Sequence, residues 1–151
     1  MKAQPNAAHL ALATFSNPEY RRAIAPFAKF TLITQNVDGL SVKAFQEACP
    51  GLKSNIYEMH GRLFDTICMD CGDRENNVES PICHALNEIS SDSNAVRDIP
   101  LEDLPRCRKC GGLLRPGVVW FYETPHHLDE IGKVVEKADV ALIVGTSSTV
   151  S

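Results

Sequence analysis

Two short cysteine pairs constrain this chain more than any other feature: Cys68-Met69-Asp70-Cys71 and Cys107-Arg108-Lys109-Cys110, each followed by a glycine, Gly72 and Gly111. Two intervening residues let both sulfurs of a pair bend toward one metal ion. The glycine then lets the chain turn so that backbone amides reach the thiolates. Two pairs complete a tetrahedral shell of four sulfurs, the donor set that suits zinc. Four thiolates leave no open position for water or substrate, so the expected ion is structural. The 35 residues from Gly72 to Arg106 exceed the spacer of a minimal finger and predict an extra lobe. Disulfides are the competing reading, but they belong to oxidising compartments. The N-terminal MKAQPNAAHL has neither an apolar signal core nor the Arg-rich pattern of a transit peptide. Cys49 and Cys83 fit neither pair and read as ordinary buried or part-buried thiols.

Outside the cysteine region the pattern is that of an α/β protein. Asn6 caps a first helix, and Asn17-Pro18 starts a second that runs to Ala25. Phe30 to Thr34 (FTLIT) is short, apolar and β-branched, the pattern of a buried strand. A helix from Val42 to Ala48 follows, stopped by Pro50-Gly51. Ile56 to Met59 and Leu63 to Cys68 read as strands. From Gly61 to Pro116 turn residues dominate, and Glu88 to Asp98 is a polar stretch expected to be mobile. Val118 to Phe121 and Val140 to Val144 read as buried strands. Between them, Thr124-Pro125 is expected to cap a helix with a stripe of Leu128, Ile131, Val135 and Ala138. This order predicts a partial Rossmann-like parallel sheet over residues 1–60 and 117–151, interrupted by a small zinc-binding module over 61–116.

Polar residues collect where these strands end, which is where parallel α/β sheets bind ligands. Gln35, Asn36, Val37 and Asp38 follow the first strand, with amides and a carboxylate suited to an amide and ribose hydroxyls; an Asx-rich turn is the plain alternative. His60 follows the second, where an imidazole could take a proton from a hydroxyl, although a lone histidine is more often structural. Gly145, Thr146 and Ser147 follow the last, a small-residue turn able to approach a ribose or phosphate. His126 and His127, with Glu123, would make a second metal site only with ligand spacing they lack, and both histidines read as exposed.

The charge balance limits the partners. Fifteen Lys and Arg against nineteen Asp and Glu give a net charge of −4, so no general basic field calls for nucleic acid or anionic lipid. Arg106, Arg108, Lys109 and Arg115 form a small basic cluster, but the interleaved aromatics of a nucleic-acid surface are missing. No apolar run approaches the ~18–20 residues that a membrane helix needs. Neither a nucleic-acid nor a membrane partner is therefore expected.

PNAAH (Pro5 to His9), TQNVDGL (Thr34 to Leu40), EMHG (Glu58 to Gly61), both CxxCG pairs, GGLLRPGVVWF (Gly111 to Phe121) and VGTSS (Val144 to Ser148) stand here in one order. This set resembles the sirtuins, the NAD-dependent protein lysine deacylases. PICHAL (Pro81 to Leu86) is similar to the mitochondrial-type class III branch, associated with desuccinylation and demalonylation. The resemblance implies an enzyme that transfers an acyl group from protein lysine, releasing nicotinamide and O-acyl-ADP-ribose. It implies that His60 is the general base and that Gln35, Asn36, Val37, Asp38, Gly145, Thr146 and Ser147 hold NAD. Val118, Val119, Trp120 and Phe121 would form the acyl-lysine tunnel and pair with the substrate backbone. One structural zinc would sit on Cys68, Cys71, Cys107 and Cys110. The branch implies a mitochondrial location, with cytoplasm or nucleus as the alternatives.

The departures from the family pattern carry expectations too. The glycine-rich GAGxS loop, the PxFR stretch and the adenosine-binding strands are not in this sequence, and Tyr122 stands where the family has glycine in WFGE. The chain is therefore read as a truncated form, expected to be marginally stable, to aggregate or depend on a partner, and to bind NAD weakly or not at all. A catalytically inactive remnant that serves as a zinc-containing interaction module is the alternative.

Overall fold

The structure, a computed structural model, describes residues 3–89 and 98–146. Two short helices open it. α1 (Ala7–Ser16) begins at Asn6, whose side chain accepts from His9 N at 3.1 Å while His9 Nδ1 accepts from Asn6 N. This reciprocal bond satisfies two amides that a helix start leaves free. α2 (Pro18–Ile24) places Pro18 in its first turn, and Asn17 accepts from Glu19 N at 2.8 Å.

A β-α-β unit follows. β1 (Leu32–Thr34) lies parallel to β2 (Ile56–Glu58), with Leu32 opposite Ile56 and Thr34 opposite Glu58. Parallel neighbours need a crossover, supplied here by α3 (Leu40–Ala48). α3 buries Ala44 and Phe45 against Ala13 of α1, with Cys49 and Ile56 completing the cluster. The Cys49 thiol is buried there, as its sequence context predicts.

The second sheet is antiparallel. β3 (Gly61–Cys68) runs between β4 (Arg74–Asn76) and β5 (Leu114–Val118). Its register with β5 slips between Arg62 and Thr66, an irregularity that bends the strand between the two sheets. A six-residue helix α4 (His84–Ile89), a 3-10 turn at Leu101–Asp103 and helix α5 (Leu128–Glu136) complete the described elements. Among the described residues no helix is long and apolar enough to cross a membrane.

Several expected elements differ. The strand expected at Val118–Phe121 lies earlier, at Leu114–Val118, because the chain turns over Trp120 to Glu123, where Glu123 N donates to Trp120 O at 3.0 Å. Val140–Val144 is not a strand: no ladder partner lies beside it among the described residues, and Val140 and Leu142 are each 86% exposed. The last helix begins not at Thr124-Pro125 but after His127, since His126 N is already bonded to Met59 O at 2.8 Å. Leu128 and Val135 of its apolar stripe stay exposed, as does Ala138 beyond its end. Residues 90–97, most of the polar stretch expected to be mobile, lie outside the described residues, as does Ser147.

Candidate active site and metal centre

The two cysteine pairs come together. Cys68 ends β3, Cys71 and Gly72 turn the chain back toward β4, and the second pair sits on the loop that leads into β5. The four Sγ atoms lie within 4.8 Å of one another. Cys68 and Cys110 sulfurs are 3.4 Å apart, and those of Cys71 and Cys107 are 3.8 Å apart. A tetrahedron of sulfurs ~2.3 Å from zinc has edges of about 3.8 Å, so the residues fit that ion.

The backbone around them is arranged for anionic sulfur. Cys71 N donates to Cys68 Sγ at 3.5 Å, Lys109 N to Cys107 Sγ and Gly112 N to Cys110 Sγ at 3.4 Å. The amide of Cys71 lowers the Cys68 thiol to about 7, with Asp70 N and the neighbouring sulfurs helping against desolvation. Cys110 receives the Gly112 amide, which lowers it, yet the adjacent sulfurs of Cys68 and Cys71 and desolvation push it up to about 12. Four anionic sulfurs this close need a cation between them. Gly112 allows the approach, since a Cβ there would stand 2.4 Å from Asp70 Oδ2 and 2.9 Å from Cys68 Sγ. Lys109 Nζ reaches Asp73 Oδ1 at 3.2 Å and ties one pair to the other.

His60 occupies the two-residue turn that joins the parallel sheet to the antiparallel one. On one side Met59 N donates to Thr34 O at 3.1 Å, and on the other Leu63 N donates to Val37 O at 2.8 Å. The loop Thr34–Val37 is therefore bonded to both flanks of the His60 turn. Val119 N donates to His60 O and His126 N to Met59 O. Four separate stretches of sequence meet at this turn. Behind it Glu58, 9% exposed, pairs with Arg62 across the turn.

Two side chains of the loop beside the turn remain available. Gln35 and Asn36 are exposed, and neither amide group bonds to a described residue. Asp38 uses Oδ1 to accept from Leu40 N at 2.9 Å, so it also holds the start of α3. Gly145 has φ +70°, and Thr146 beside it is half-buried. Val118 and Val119 are half-buried and border a cleft of about 410 Å³ that Arg74, Arg115, Glu123 and His126 also line. Trp120 and Phe121, by contrast, are exposed at 53% and 80%. Burial and the nearby Arg74 lower the His126 imidazole, which is half-buried, contrary to its expected exposure.

Two pairs escaped the sequence reading. Glu58 and Arg62 are the outer residues of EMHGR, and their spacing of four gives a salt-bridge signal only once a turn brings them together. Arg115, grouped with the basic cluster, is instead 17% exposed and bonded to Glu123 at 2.7 Å. That bond also removes Glu123 from any metal site with His126 and His127; among the described residues, only the four cysteines form a metal-competent group.

Residues 1–151 match the Sir2 family along their whole length. This chain belongs to the Sir2 family. It is 43% identical over 152 residues to the NAD-dependent protein deacylase sirtuin-5B, mitochondrial, of Xenopus laevis, a match covering 97% of this chain and 46% of that protein. The Sir2 chain thus spans about half the length of the curated relatives it matches. A crystal structure of a Sir2 homolog–NAD complex superposes with a TM-score of 0.66 and 36% identity, covering 99% of this chain and 46% of that one. A Sir2–p53 peptide–NAD+ structure matches with a TM-score of 0.55 and 26% identity, over 89% of this chain and 43% of its own. The Rossmann-like α/β fold of the Sir2 proteins and four cysteines placed for one zinc ion are therefore features of this chain.

Proposed function

We propose that this chain works as an NAD-dependent protein lysine deacylase of the class III branch. One observation carries the reading: the His60 turn is bonded on one flank to Thr34 O and on the other to Val37 O, the two ends of the stretch that carries Gln35 and Asn36, and across to Val119. The backbones of His60, of the polar loop and of Val119 meet there, which supports a base, an NAD-binding loop and a peptide-pairing edge at one place. The sirtuin-5 relatives, and the NAD and peptide complexes among the structural neighbours, support it.

In this reading residues 1–60 and 117–151 form the nucleotide-holding domain and 61–116 the zinc module. Gln35 and Asn36, whose side-chain amides have no partner among the described residues, would bind the nicotinamide and ribose end of NAD, with Val37 and Asp38 shaping the loop. Gly145, Thr146 and Ser147 would contact the rest of the dinucleotide. When bound, NAD would supply an electrophilic ribose carbon for the acyl oxygen, with nicotinamide as the leaving group. His60 removes a proton from a ribose hydroxyl, which general-base catalysis values at ~10²–10⁴ in rate. Val118 and Val119 form the wall of the acyl-lysine tunnel, while Trp120 and Phe121 present backbone to an acylated protein substrate. The zinc holds the β3-β4-β5 sheet and performs no chemistry, since four sulfurs close its coordination shell. The mitochondrial names of the sirtuin-5 relatives support a mitochondrial location.

The test is deacylation of acetyl-, succinyl- and malonyl-lysine peptides with NAD, by this chain and by a form completed to the relatives' length. His60→Tyr should abolish turnover and leave one zinc per chain. Loss of zinc in that variant, or unchanged turnover, would refute the role of His60.

A second reading, an inactive zinc-containing interaction module, is favoured by the exposed Val140–Val144 segment, which has no strand partner among the described residues. Calorimetry with NAD on the form completed to the relatives' length separates the two: measurable binding supports the enzyme, and none supports the module.

A further inference from the structure

Arg115 stands on β5, three residues before the sheet ends, and its contacts converge on one turn. Its Nη1 donates to Val118 O at 2.9 Å and its Nη2 to Glu123 Oε1 at 2.7 Å. The guanidinium also lies over the Trp120 ring, 4.9 Å from the centroid. Glu123 uses its other oxygen on the same turn, accepting from Trp120 N at 2.9 Å, while Glu123 N donates to Trp120 O at 3.0 Å.

This turn holds a conformation its sequence disfavours. Tyr122, its third residue, has φ +72°, the left-handed region that glycine occupies freely and a residue with a Cβ does not. Its ring is fully exposed, so no burial of that side chain compensates. The charge-assisted bonds of Arg115 and Glu123 close the turn around it together with the backbone bond from Glu123 N to Trp120 O.

We propose that Arg115 and Glu123 form a latch that fixes the Trp120–Glu123 turn and thereby the backbone that Val119 to Phe121 present to a substrate peptide. Both are positioning residues. The link to substrate rests on the deacylase reading; the latch itself does not.

Trp120 is the only tryptophan in the chain, so its fluorescence reports on the latch directly. In the 151-residue protein, Arg115→Leu and Glu123→Gln should each shift Trp120 emission and raise its quenching by acrylamide, with zinc content unchanged. Arg115→Lys should restore part of the protection, because a lysine can pair with Glu123 but cannot supply the planar fork. Binding of a fluorescein-labelled succinyl-lysine peptide, read by anisotropy, should weaken about tenfold in Arg115→Leu, the scale of one lost charge-assisted network. Glu123→Gln keeps an acceptor for Trp120 N and nearly the same shape, so it tests the latch even where Arg115→Leu does not fold. Unchanged Trp120 emission and quenching in the folded variants overturns the latch, and unchanged peptide affinity overturns its role in binding. A wild-type chain that binds no peptide counts against the deacylase reading, and Trp120 quenching then judges the latch alone.

Discussion

Gly61 shows how one missing side chain can hold a site together. It follows His60, has φ +77°, and a Cβ there would stand 2.1 Å from Gly117 O. Backbone cannot yield as a flexible side chain can, so Gly61→Ala should cost about 3 kcal/mol or more in urea unfolding and should disturb the His60 turn. Tyr122 is the opposite case, a side chain where glycine belongs. Tyr122→Gly should raise stability by about 0.5–1 kcal/mol, since relief of a left-handed Cβ outweighs the added freedom of the unfolded chain. His126 gives a pH dependence. Its folded value lies below its ordinary one because burial and Arg74 disfavour the charged ring. The neutral ring is thus preferred in the folded state, and the stability it contributes is present above about pH 6.5. That contribution is lost as pH falls through the lowered value. The urea midpoint should drop on going from pH 7.5 to 6, and less so in His126→Gln.

At the scale of elements, the antiparallel sheet and the zinc depend on each other. β3 is the only eight-residue strand among the described residues, and it ends on a zinc-competent cysteine. β4 has three residues, all exposed, too few to hold a sheet by burial. Chelation should therefore unfold β3-β4-β5 while α1 and α3, packed on Phe45, persist, read as loss of amide protection confined to 61–118. Acid should act in the same direction, because protons compete with zinc for sulfur and the uncompensated Cys110 thiol is pushed up to about 12. Zinc release on lowering the pH, followed with a chromogenic chelator, should precede loss of helix. The cysteine pairs, the glycines after them and the caps at Asn6 and Asn17 were all legible in the sequence, because their chemistry is local. The meeting of Val119 with the His60 turn was not, because that bond lies between residues 59 positions apart.

At the scale of the molecule, the parallel sheet has, among the described residues, two strands of three residues each, with no further strand on either edge. Val140, Leu142, Ile143 and Val144 are 70–86% exposed, an apolar run of the kind that drives association when nothing covers it. The isolated chain should self-associate in sedimentation velocity at micromolar concentration, and Leu142→Lys with Val144→Lys should return it toward monomer. This segment reads as a buried strand because it is apolar and β-branched; a strand also needs a neighbour, which composition does not supply. By itself the sequence determined what short-range chemistry can determine: a four-sulfur metal site, helix starts, and polar residues following an apolar run. Only the tertiary structure decided that the His60 turn, the Gln35–Asp38 loop and Val119 share one place, and that Arg115 faces Glu123 instead of solvent. Those arrangements rest on hydrogen bonds between distant segments, whose partners become neighbours only when both sheets have formed.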